Sequence, residues 1–276
     1  MSGSETIRID VKKVLQEKNP RLAKIIPGFV INYLRRIIHE EELNDFFERF
    51  GHLKDIDMVK AGIEYLGIGY RVHLSENIPT SGRYVFTSNH PLGGLDGSIF
   101  LLELSKHFDN IKFPVNDILM NVPNMAGVFL PINKHGAQQR NGVRMIEEAY
   151  ASDAQVLYFP AGLCSRKKGG EICDLVWHKS VIVKAVKHKR DVVPAYFSGN
   201  NSGFFYNLAN LRNALGIKSN FEMLYLVDEM FRQKGKNLEL VFGKPISWQT
   251  FDAYRTPSEW AAWLKEKSYE LASVIK

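Results

Sequence analysis

Cysteine is scarce in this chain of 276 residues, with Cys164 and Cys173 as the pair present. Two thiols build no disulfide framework, and their spacing fits no zinc pattern, so neither a stapled secreted fold nor a metal-built one is indicated. They lie close enough in sequence to be bridged, but free thiols in a reducing compartment are the expectation. Long apolar runs are lacking too. The longest stretches, at residues 25–31 and 181–186, fall far short of the ~20 residues a spanning helix needs. The first ten residues are polar, without the basic start and apolar core of a secretory signal. No G-x-S-x-G elbow occurs, which argues against a serine α/β-hydrolase. The absence of helix-turn-helix, RNA-binding and zinc patterns argues against a nucleic-acid partner. Internal repeats and low-complexity segments are also absent.

What is present is an ordinary globular composition, 45% apolar and 24% charged, with a formal net charge of +6. That moderate excess suits an anionic membrane, a nucleic acid or a phosphorylated ligand. Residues 7–65 read as helical, with Val14, Leu15, Leu22, Ile25 and Ile26 at helical spacing and breaks at Pro20 and Pro27. Leu43, Phe46, Phe47 and Phe50 repeat the spacing. From about residue 69 the pattern changes. Strand candidates at 70–74, 84–88, 111–115, 128–132, 155–159, 192–198 and 237–242 alternate with helix candidates at 98–108, 138–150 and 179–187. Residues 258–275 form a closing amphipathic helix. The alternation argues an α/β sheet with flanking helices. It divides the chain into a helical segment over 1–68 and an α/β body over 69–276.

The segment richest in chemistry is Ser88-Asn89-His90-Pro91-Leu92-Gly93-Gly94-Leu95-Asp96-Gly97. It leaves a strand and opens a helix, where α/β folds place ligand sites. A carboxylate beside an imidazole fixes its tautomer and stabilises the imidazolium, which makes histidine a general base. Taken alone, the pair also fits a loop histidine beside a helix-capping aspartate. Further segments favour the chemical reading. Phe159-Pro160-Ala161-Gly162-Leu163-Cys164-Ser165-Arg166 joins a strand end to a loop, and a guanidinium there suits a phosphate or carboxylate. Residues 127–134 end a strand in Asn133 and Lys134, and residues 192–197 form a strand carrying Pro194.

In order and spacing these four blocks resemble the glycerophospholipid acyltransferase family, which includes the lysophosphatidic acid acyltransferases. The resemblance runs from about Tyr84 to Phe197. It implies a mixed, largely parallel sheet flanked by helices, with the helical segment at its N-terminus. It also implies that His90 deprotonates an acceptor hydroxyl, which attacks an acyl thioester, while Asp96 holds the imidazole. Lys134, Arg166, Gly162 and Ser165 then bind the acceptor's anionic group, with Asn89, Glu171 and Asp174 as further candidates for acceptor contact. A solvated loop with a helix cap explains Glu171 and Asp174 equally well. No metal or cofactor is implied; acyl carrier protein or coenzyme A carries the donor. The implied partners are that thioester, a lyso-lipid and a membrane surface, at the cytoplasmic face of the inner membrane.

Two departures shape the expectation. Five residues separate His90 from Asp96 where the family has four, and Ala161 replaces the family's glutamate. That glutamate serves glycerol-phosphate recognition, so its loss points away from a 1-acylglycerol-3-phosphate acceptor. The variant is similar to a branch labelled hemolysin and to O-acyltransferases of amino-acid lipids, whose acceptor is a monoacylated amino-acid lipid. A non-enzymatic, basic membrane-binding protein is the remaining alternative, and it leaves the His90 and Arg166 blocks unexplained. Residues 25–38 either lie in a membrane interface or pack on the body. Residues 196–206, rich in aromatics, read as an acyl-tunnel lining or an interfacial loop. The basic run Lys184, Lys187, His188, Lys189 and Arg190 reads as a solvated helix end or as a surface for acidic carrier protein or anionic lipid.

Overall fold

The structure is a computed structural model that describes residues 7–116, 119–132 and 137–275. Its strands are β1 (Gly69–His73), β2 (Tyr84–Ser88), β3 (Ile111–Val115), β4 (Phe129–Pro131), β5 (Gln155–Tyr158), β6 (Arg166–Lys168), β7 (Glu171–Cys173), β8 (Asp191–Phe197) and β9 (Asn237–Phe242). Seven of them form one sheet in the order β1-β9-β8-β2-β5-β3-β4, and β6 and β7 make a separate hairpin. From β8 to β4 the strands are parallel. β9 runs antiparallel to β8 and parallel to β1, so the sheet is mixed and largely parallel.

Helices cover both faces, as a parallel sheet requires. α1 (Val11–Lys18), α2 (Pro20–Ile25), α3 (Gly28–Ile38), α4 (Glu40–Phe50) and α5 (Asp55–Tyr65) precede β1. α6 (Leu95–Leu104), α7 (Ala137–Ala151), α8 (Ser180–His188), α9 (Gly203–Ala214), α10 (Leu226–Phe231) and α11 (Pro257–Glu270) follow. Strand alternation divides the core. On β2, Phe86 joins one cluster with Phe46, Phe47, Met58, Ile99 and Phe100, while Val85 joins another with Trp177, Val181, Ile182, Trp260 and Leu264. Val85 and Phe86 are both fully buried, as expected of a central strand covered on two sides. The N-terminal helices α4 and α5 thus share the core of the α/β body.

Three local stretches take a form that the sequence pattern does not announce. The basic stretch after Ser165 is the β6–β7 hairpin, in which Lys168 faces Glu171. The aromatic stretch 196–206 divides between the end of β8 and the first turn of α9, whose N-cap Ser202 accepts from the Phe205 amide. The basic run at 184–190 is mostly partnered. Lys184, Lys187 and His188 converge on Glu147. Arg190 is fully buried, donating to the carbonyls of Ala149, Tyr150, Ser152 and Ala154, where it closes the C-terminal end of α7.

Candidate active site

β2, β5 and β8 end side by side, and the loops leaving them carry the chemistry-bearing residues. The edge is locked by Asn89, which is buried. Its side-chain nitrogen donates to the Phe197 carbonyl at 2.9 Å, and its oxygen accepts from the Phe197 amide at 2.7 Å. Asn89 therefore clamps the exits of β2 and β8 together.

One residue on, His90 Nδ1 lies 2.9 Å from Asp96 Oδ2. Asp96 stands in the first turn of α6, while Gly94 occupies the N-cap position. Its carboxylate is fully buried and accepts backbone N–H bonds from Leu92, Gly94 and Gly97 at 3.0, 3.1 and 2.9 Å, with Gly93 at 3.4 Å. The helix N-terminus adds a favourable field for the anion. With five residues between them, His90 and Asp96 still meet, and the amides of the intervening loop surround the carboxylate. Gly93 makes the turn at φ +78, and a Cβ there would meet Leu226 Cδ2 at 2.9 Å and Cys164 Cβ at 3.3 Å. A side chain at this position has neither the conformation nor the room.

With Nδ1–H donating to Asp96, Nε2 keeps its lone pair, the form a general base requires. The His90 ring stacks on Phe159, centroids 4.3 Å apart, and its side chain is 15% exposed. Burial pulls the imidazole pKa down, but the charge and hydrogen bond of Asp96, helped by Asp174, hold it above the ordinary histidine value. Burial likewise pushes the Asp96 carboxyl up, and the imidazolium together with the loop amides overcomes this to leave it lowered.

The third block sits against this pair. The Ser165 amide donates to the His90 carbonyl at 2.8 Å. Asp174, buried, accepts from the His90 amide at 3.1 Å, the Ser165 hydroxyl at 2.6 Å and Trp177 Nε1 at 2.8 Å. Its own amide donates to the Tyr269 hydroxyl of α11, and Lys265 donates to its carbonyl. Ser165 and Asp174 are thus gathered at the backbone of His90, whereas Glu171 is exposed on the hairpin. Gly162 takes φ +67 at the turn after Phe159, beside His178. Lys134 lies outside the described residues. Arg166 is buried, and its guanidinium donates to Glu222 at 3.0 Å and to the Cys164 carbonyl at 2.8 Å. Arg212 grips the same carboxylate at 2.8 Å, so Glu222 is shared by two guanidiniums. Cys164, a free thiol, is buried beside them, and that burial pushes its pKa up to about 11, too high for a thiolate nucleophile at neutral pH.

Sequence reasoning missed Trp177, Tyr269 and Glu222. No local pattern announces them. Tyr269 and Glu222 reach the site from 95 and 56 residues away, and only the assembled fold brings them in.

Comparison with known proteins adds a second line. A family model described as acyltransferase matches residues 13–276. The lyso-glycine lipid O-acyltransferase of Bacteroides thetaiotaomicron is 47% identical over 272 residues, spanning 98% of this chain and 100% of that one. The protein of the same name from Phocaeicola vulgatus is 46% identical over 272 residues, 98% of each chain. The 1-acyl-sn-glycerophosphate acyltransferase of Thermotoga maritima superposes with a TM-score of 0.49 at 16% identity, over 95% of this chain and 96% of that one, too loosely to bear on function.

Proposed function

This chain belongs to the acyltransferase family matched over residues 13–276, and from that premise we propose that it transfers an acyl group from a thioester to the hydroxyl of a lyso-glycine lipid, with His90 as general base. That the chain is an O-acyltransferase acting on a lyso-lipid follows from its relatives. The donor, the acceptor headgroup and the residue roles are our reading. The observation that carries it is the His90–Asp96 pair, whose carboxylate is fully buried and fully hydrogen-bonded.

In this mechanism the acceptor hydroxyl gives its proton to His90 Nε2 as its oxygen attacks the thioester carbonyl. The C–O bond forms, the C–S bond breaks, and the imidazolium returns the proton to the departing thiolate. Asp96 stabilises the transient imidazolium and stays ionised. General-base help of this type contributes ~10²–10⁴ in rate. Acyl carrier protein or coenzyme A carries the donor thiol. Both substrates bear acyl chains, so the enzyme works at a membrane surface. No helix among the described residues is long and apolar enough to cross a membrane, so contact is peripheral on this reading. At the acceptor, Ala161 supplies no carboxylate for a glycerol-phosphate headgroup.

The acceptor is tested by offering the purified protein a long-chain acyl thioester with either lyso-glycine lipid or lysophosphatidic acid. The expected result is diacylated glycine lipid with little phosphatidic acid. A reversed preference would sink the assignment of the acceptor.

A further inference from the structure

Helix α9 is apolar on two sides, and only one of them has a core to enter. Phe205, Tyr206 and Ala209 face inward and are buried. Phe204, Leu211 and Leu215 lie on the opposite stripe, 50%, 56% and 64% exposed, with Leu208 half-buried between them. Asn207, Asn210 and Asn213 form the exposed polar side of the helix, so the outer apolar stripe is a second apolar face with no core of its own. The stripe continues past the helix end through Phe221 and Leu224, also exposed.

The stripe is not isolated. Phe204 packs on Tyr225 at 5.0 Å, and Tyr225 shares a 2.7 Å hydroxyl contact with Tyr33 of α3. On α3 and the residues before it, Ile25 and Phe29 are each 74% exposed. Two segments far apart in sequence therefore build one apolar face. Monomeric surfaces seldom carry such a patch without a use.

Charge selects the occupant. Residues 20–39 and 203–221 contain no aspartate or glutamate. Their exposed cations are Arg21, Lys24, Arg36 and Lys218. Acidic side chains enter at one edge, where Glu42 and Asp228 pair with His39 and Glu40 with Arg35, while the four exposed cations are left to meet the anionic headgroups around the apolar side chains. A second copy of the chain is disfavoured, because a two-fold contact through this face would bring like charges together. The face also adjoins the site: Arg166 lies 5.5 Å from the Phe205 ring on the inner side of α9, and Leu226 packs against Gly93.

We propose that the outer stripe of α9, the turn after it and the exposed side of α3 together form the surface that this enzyme inserts into an anionic membrane. The inference rests on the lipid-acceptor reading above and names the face through which that lipid is met.

The test is flotation with phosphatidylcholine vesicles, with and without phosphatidylglycerol, of the wild-type protein and a Leu211→Asp, Leu215→Asp double variant. Both positions are exposed, so the variant is expected to fold. Wild type should float with the anionic vesicles, and the variant's bound fraction should fall at least about ten-fold. Lys24→Glu with Lys218→Glu should weaken binding to the anionic vesicles. Turnover of a short-chain acceptor dissolved in water, measured in parallel, should be unchanged in the Leu211, Leu215 variant, which keeps a failure of the catalytic reading apart from a failure of docking. Undiminished flotation of that variant would overturn the proposal. So would a wild-type dimer that the same substitutions convert to a monomer, read by light scattering.

Discussion

His90 is governed by two carboxylates of different reach. Asp96 touches the ring at 2.9 Å, and Asp174 meets the backbone amide of the same residue at 3.1 Å. Both favour the imidazolium and together overcome the burial that opposes it. The consequence for rate has a definite sign. A base must be neutral to accept a proton, so kcat/KM should fall as pH drops through the raised His90 pKa, giving an acid limb above the ordinary value of about 6.5. Asp96→Asn should move that limb to lower pH and lower the plateau by ~10⁴, because the tautomer is no longer fixed. An unmoved limb in the variant would assign it to another group. The linkage to folding runs both ways. The raised His90 pKa gives stability that is complete below the unfolded value and lost as pH rises through the folded one. The lowered Asp96 pKa gives stability that is present above its unfolded value and lost as pH falls through the folded one.

At the scale of elements, helix ends and loops are held by buried polar groups. The carbonyls at the end of α7 have no partners within the helix, and Arg190 supplies them. Burial lowers its pKa to about 10, which leaves it cationic at neutral pH. Arg190→Leu removes these charge-assisted bonds and strands several carbonyls, at a cost of roughly 3–5 kcal/mol. Thermal unfolding should report a Tm lower by about 10 °C. An unchanged Tm would show that the carbonyls find other partners. Arg190 also marks where sequence reading stops. In the chain it is one cation in a basic run, and nothing local reveals that it is buried. The strands 111–115 and 237–242, by contrast, are legible to the residue, because apolar runs bounded by polar turns carry their own ends. Residues 196–206 carry no single period in the sequence, because their aromatics serve the end of a strand and the start of a helix at once.

Across the whole molecule, the site is a meeting of distant parts. The His90–Asp96 pair is readable because both members lie in one short segment, six residues apart. The network around Asp174 is not, since it needs Tyr269 and Lys265 from α11, and the sharing of Glu222 by Arg166 and Arg212 needs α9. Helices α4 and α5 share one core cluster with Leu92, Leu95 and Phe159, so these helices and the loops around His90 belong to one packed unit. Tyr33 of α3 meets Tyr225, and the next residue, Leu226, lies against Gly93 in the loop between His90 and Asp96. In the proposed mechanism His90 takes the proton from the acceptor hydroxyl. That step is tested most directly by single-turnover acyl transfer from a thioester to lyso-glycine lipid, comparing wild type with a folded His90→Gln variant. A rate loss of ~10²–10⁴ is expected, with the overall fold intact by circular dichroism; transfer at the wild-type rate would rule out this role for His90.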